Sequence, residues 1–134
     1  MLDLEKTNIA EAAEAGVEFE LMLPKSNTPT GAFVKVRGEE SEVVRNYVRK
    51  RINEAQARAA MLRKRGKDEE GMTMEEAEES LTDAATVRVI SWRGIAEGGK
   101  EVPFTSENAK RIFMKHPWIR DQILEESKGL IYFR

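Results

Sequence analysis

The chain contains no cysteine and a single histidine, His116, so disulfides, thiol nucleophiles and thiolate metal sites are excluded at the outset. It also lacks any apolar run near the ~20 residues that cross a bilayer, so no membrane partner is expected. Its start, Met1-Leu2-Asp3-Leu4-Glu5-Lys6, lacks the basic-then-apolar order of an export signal. That predicts a protein that stays in the cytoplasm where it is made. Large aromatics are scarce, and both tryptophans fall in the last third. A small domain tends to fold around such residues, because each buries more apolar area than any other side chain.

What the chain has in quantity is charge. Hydrophobic residues make up 40% and charged residues 34% of 134 positions, the balance of a helix-rich domain in water. That length fits one domain over residues 1–134, burying roughly two-thirds of its unfolded surface. The net charge of −2 hides a segregation. From Arg45 to Lys67 there are nine bases and one acid, Glu54; from Asp68 to Asp83 there are eight acids and no base. Adjacent blocks of opposite sign argue for pairing within the chain before any outside partner.

Along the chain, residues 1–16 read as a weakly ordered leader with an alanine-rich turn or two closed by Gly16. Val17-Glu18-Phe19-Glu20-Leu21 alternates apolar and charged, the period of a half-buried strand. Pro24 to Gly31 is a loop, and Ala32-Phe33-Val34-Lys35-Val36-Arg37 resumes the strand, giving a β-hairpin over 17–37. Two strands alone are marginal in water, so the hairpin needs helices or a strand from another subunit. Ser41 caps a long helix over about Glu42 to Arg65, roughly 36 Å, whose stripe is Val44, Val48, Ile52, Ala55, Ala59 and Leu62. Val43, Tyr47 and Met61 widen it.

Thr73 and Glu76 form a capping box for a second helix with Met74, Ala77, Leu81, Ala84 and Val87 or Val89 on one face. Its end, Ala85 to Trp92, is β-branched enough for a strand, but the unbroken phase favours helix through Trp92. Residues 41–92 are therefore expected to form a helical hairpin that sets basic block beside acidic block. Residues 94–134 complete the chain. Gly94, Gly98 and Gly99 surround a turn, and Pro103-Phe104-Thr105 starts a helix over Ser106 to Lys115. Pro117 opens another to Lys128, with His116 before it. Ile112, Phe113, Trp118, Ile119, Ile123 and Leu124 should face inward, and Leu130-Ile131-Tyr132-Phe133 forms an apolar tail. The predicted fold class is α+β and predominantly α-helical: an N-terminal β-hairpin packed on a long helical hairpin and two short C-terminal helices.

Reaction chemistry is thin. His116 has no nucleophile or ligand set beside it, which suits a helix boundary better than a catalyst. Glu75, Glu76, Glu78 and Glu79 lack the Asp/Asn-and-Gly loop of a calcium site. Gly94 to Lys100 lacks the Lys-Ser/Thr pair that must open a helix after a phosphate loop. No catalytic residue, cofactor or metal is expected, and the protein reads as no enzyme. The basic helix Arg45 to Arg65 could lie on nucleic acid, but the acidic neighbour, a pI near 5.6 and the absence of a reading motif argue against it. The aromatics Trp92, Phe104, Phe113 and Trp118 are core by type or else a binding groove.

Three stretches carry a resemblance: Ala13-Glu14-Ala15-Gly16-Val17-Glu18-Phe19-Glu20-Leu21 with the loop and Val36-Arg37-Gly38 after it; the charged helix after Ser41; and Trp92-Arg93-Gly94-Ile95 with Val102-Pro103-Phe104-Thr105-Ser106-Glu107-Asn108-Ala109 and Trp118-Ile119. With these the chain resembles the tail assembly chaperones of long-tailed bacteriophages. The resemblance implies a non-enzymatic helper in the host bacterial cytoplasm that binds the tape-measure protein and helps recruit tail tube subunits. It implies a homo-oligomer as well. The physical reading agrees, since Met-bearing and Ala-rich stripes suit a protein that lays helices against another chain's helices. The expected partner-binding residues are Tyr47, Met61, Leu62, Trp92, Phe104, Trp118, Tyr132 and Phe133.

Overall fold

The computed structural model describes residues 1–5, 8–66 and 72–129. Tyr132, Phe133 and the apolar tail lie outside them, as does the turn at 67–71.

The first helix, α1 (Ile9–Ala15), starts where the Asn8 side chain accepts the Glu11 N–H at 3.0 Å. This is the alanine-rich turn or two that Gly16 was expected to close, and it is docked. Ala13 is buried, its carbonyl accepts the Gly38 N–H at 2.9 Å, and Glu14 pairs with Arg37 at 3.2 Å. Gly16 then turns the chain at φ +75°, where a side chain is strained, and a Cβ there would stand 2.5 Å from the Val36 carbonyl oxygen.

Strands β1 (Val17–Met22) and β2 (Pro29–Val36) pair antiparallel, Val17 opposite Val36 and Met22 opposite Pro29. The alternation reads as expected: Leu21, Ala32, Val34 and Val36 are buried, with Val17 and Phe19 packed beside them. The loop is shorter than Pro24 to Gly31, because Thr30 joins β2 and donates to the Leu21 carbonyl at 2.7 Å.

Helix α2 (Glu42–Lys64) begins at Ser41, whose hydroxyl accepts the Val44 N–H at 3.1 Å. Helix α3 (Met74–Arg88) begins at Thr73 in the same way, accepting from Glu76 at 3.1 Å. Here the structure corrects two expectations. Helix does not continue to Trp92: it stops at Arg88, and Val89–Arg93 is strand β3, paired with β2 through Val36–Val89, Lys35–Ser91, Val34–Trp92 and Phe33–Arg93. The β-branched run is taken up by the open edge of β2, whose backbone groups need partners. The third strand that the hairpin lacked thus comes from this chain. Second, the buried row of α3 is Thr82, Ala85 and Arg88, whereas Met74 and Leu81 are exposed. The row turns because Arg88 is drawn inward to Glu39 and because α3 packs on the C-terminal helices, Thr82 Oγ1 meeting Met114 Sδ at 3.1 Å.

After β3, Gly94 at φ +78° passes close to β2; a Cβ there would meet the Gly31 carbonyl oxygen at 2.6 Å. A small ribbon follows, β4 (Ala96–Glu97) and β5 (Lys100–Glu101), turned by Gly98-Gly99 with positive φ at both. Helix α4 (Ser106–Lys115) starts at Thr105, which accepts the Asn108 N–H at 3.0 Å, and α5 (Pro117–Gly129) follows at Pro117, both as expected. His116 is a helix boundary: its N–H donates to Ile112 and its carbonyl accepts from Ile119.

The core lies between the sheet and α3, α4 and α5, with Phe113, Ile112, Ile119 and Ile123 almost fully buried. Trp92 sits among them. Its indole donates to the Val102 carbonyl at 2.7 Å, and it meets Phe104 and Phe113 edge-on at centroid distances of 5.0 and 6.0 Å. The fold is α+β and predominantly helical.

Candidate functional site

Val44, near the base of helix α2, is the one residue of that helix that is buried. Next along the stripe Val48 is 38% and Ile52 51% exposed, while Ala59 and Leu62 further on are half-buried. A helical repeat of 3.6 residues places Arg45 and Arg63 along one edge of this stripe and Arg51 and Arg58 along the other. The expected ion-pair seam with α3 does not form. Among the described residues, α2 makes one ion pair, Arg51 with Glu54 at 3.8 Å within the helix, and Arg51 reaches α3 only at the Ser80 hydroxyl, 3.1 Å away. The reason lies in α3, which turns the small residues Ser80 and Ala84 toward α2. Its carboxylates at Glu75 and Glu79 sit on the other side of the helix.

Tyr47 lines two of the clefts at the base of α2. One, of about 430 Å³, lies between α2, α3 and the start of α4 and includes Val43, Phe104, Asp83 and Lys110. The other, of about 360 Å³, runs between α2 and α3 over Val48, Ile52, Ala55, Ser80 and Ala84. Burial in this crevice raises the Tyr47 hydroxyl pKa, with the Arg51 charge opposing it, so the hydroxyl stays a neutral donor at physiological pH. Phe104 joins site to core, with Trp92 against it and the first cleft beside it.

Of the residues expected to bind a partner, the structure brings Tyr47 and Phe104 together in one cleft. Met61 is exposed far along α2 and Leu62 is half-buried there. Trp92 is a core residue behind Phe104, and Trp118 packs half-buried against the core from α5. Val48 and Ile52, exposed on the stripe, were legible only as members of it. The signal for their exposure was the arginines on both its edges, which a buried helix would not tolerate. Among the described residues no three His, Asp or Glu side chains gather to hold a metal ion. No helix there is long and apolar enough to cross a membrane.

Residues 40–133 match the family model of the YdaY prophage protein, and the chain belongs to that family. No curated protein and no solved structure matches it.

Proposed function

We infer that this prophage protein is a non-enzymatic tail assembly chaperone of the host cytoplasm, holding the tape-measure protein and helping to recruit tail tube subunits. One observation carries the reading: the middle of the α2 stripe, Val48, Ile52 and Ala55, stays exposed beside α3, with cationic rails on either side. A long amphipathic helix of another chain would bury that stripe and extend into the clefts beside Tyr47. Prophage membership and the resemblance to tail assembly chaperones make the helical tape measure the natural occupant.

The test is co-expression with a fragment of the tape-measure protein from the same prophage. The fragment should stay in solution and co-purify, and Val48→Asp with Ile52→Asp should abolish this while leaving the circular dichroism of the free protein unchanged. A fragment that precipitates equally with and without the protein would sink the reading.

A second reading, binding of nucleic acid along α2, gains from the finding that the α3 carboxylates do not neutralise its bases. A gel shift at low and moderate salt separates the two, since steeply salt-dependent DNA binding belongs to this rival alone.

A further inference from the structure

The charge segregation that the described residues of α2 and α3 leave largely unpaired within one molecule can be satisfied between two. We propose that two copies of this chain associate about a two-fold axis, with α2 of each laid against α3 of the other.

The argument rests on two complementary surfaces carried by adjacent helices. Helix α2 offers Val48, Ile52 and Ala55 between arginine rows. Helix α3 offers Met74 and Leu81, 83% and 43% exposed and two turns apart on one ridge, with Glu78 and Glu75 along its outer side. Each surface is apolar at its centre and of one sign at its margin, and the signs are opposite. A subunit that carries both halves meets the condition for an isologous pair, in which each patch finds its complement on the other copy. Packing α2 on α2 alone would bring arginine rows together, which electrostatic complementarity disfavours. Placing α2 on α3 of the partner removes that conflict and makes a four-helix layer, in which both stripes gain a buried face.

A second copy is the occupant rather than an unrelated acidic protein because this chain supplies both signs in bulk. Eight bases and two acids lie over Glu42–Arg65, and five acids lie over Glu75–Asp83 with no base among them. Among the described residues neither set is consumed internally apart from Arg51 with Glu54 and Asp83 with Lys110.

Sedimentation velocity on the purified chain alone tests this. The expected result is a dimer of the 15.2 kDa chain at micromolar concentration, weakening as salt rises. Arg51→Glu with Arg58→Glu should raise the dissociation constant at least about tenfold, and Glu75→Lys with Glu78→Lys should do the same. Mixing the two variants should restore association, since each altered helix then faces its opposite sign. Misfolded variants could not do so. A monomer at every concentration, a dimer indifferent to both reversals, or a mixture that stays monomeric would each overturn the proposal. The dimer covers the same α2 stripe that the chaperone reading gives to a tape-measure helix, so that helix would have to displace the second copy. No tape-measure fragment is present in this experiment, and its failure leaves the chaperone reading untouched.

Discussion

Arg88 grips Glu39 in a two-point bridge, Nε to Oε1 at 2.7 Å and Nη2 to Oε2 at 3.0 Å, joining the end of α3 to the turn before α2. The third guanidinium nitrogen donates to the Ala84 carbonyl at 2.6 Å, and Ser127 Oγ stands 3.2 Å from Glu39 Oε1 while donating to the Arg37 carbonyl at 2.6 Å. Helices α3 and α5 and the end of β2 therefore meet at one carboxylate. Burial by itself would raise the Glu39 pKa. The Arg88 hydrogen bonds and charge, helped by Ser127 and Lys128, outweigh it and hold the carboxyl below its ordinary 4.5.

A depressed carboxylate contributes stability that is present above its unfolded pKa and lost as pH falls through the folded one. Glu39 should thus help the fold throughout neutral pH and cease to do so below 4.5. Glu39→Gln leaves the buried Arg88 charge without its partner and should cost about 2–3 kcal/mol at pH 7. Urea titrations at several pH values should show the gap between variant and parent narrowing in acid; a gap that stays constant would refute the assignment.

Trp92 should be the most costly aromatic to remove. Trp92→Ala deletes a buried ring touching Phe104 and Phe113 and is expected to lose about 3–5 kcal/mol. Trp92→Phe keeps most of the volume but strands the Val102 carbonyl, so about 1–2 kcal/mol should go. Denaturant unfolding of both variants checks the order and the gap.

Gly16→Ala should destabilise by at least about 2 kcal/mol, since the backbone is at positive φ and the new methyl would strike the Val36 carbonyl oxygen and Ile90. Gly98→Ala shares the positive φ but opens onto empty space, so its loss should be clearly smaller. Equal melting-temperature shifts for the two would contradict the close approach of β2 at Gly16.

Arg120 on α5 is 7% exposed; its Nε bonds to Asp121 at 3.1 Å, and its buried Nη1 has no hydrogen-bond partner. A buried donor left unmade is costly, so a flexible apolar residue of similar reach should be tolerated or better. Arg120→Met is expected to equal or exceed the parent in stability by up to about 1 kcal/mol. A loss above that in thermal unfolding would show that the guanidinium contributes more than its visible contacts.

Much of this fold was legible residue by residue because its signals are short-range. Ser41, Thr73 and Thr105 each cap the helix that their hydroxyls promised, and Pro117 opens the last one. The alternation of Ala32, Val34 and Val36 put those side chains in the core. A cap or a two-residue period is settled within one turn of chain, so no distant partner can reverse it.

What only the tertiary structure decided is who covers whom. Val89 to Trp92 could extend a helix or pair as a strand, and the unpaired edge of β2, more than fifty residues earlier, settled it. The stripes of α2 and α3 announced that each helix has an apolar side, but Thr82, Ala85 and Arg88 turned inward where Met74 and Leu81 were expected, and Val48 and Ile52 were left to solvent. Helical periodicity specifies a face and leaves open what packs on it. Here α3 found better company in α4, α5 and the buried Arg88–Glu39 bridge, and that choice leaves Val48 and Ile52 of α2 exposed.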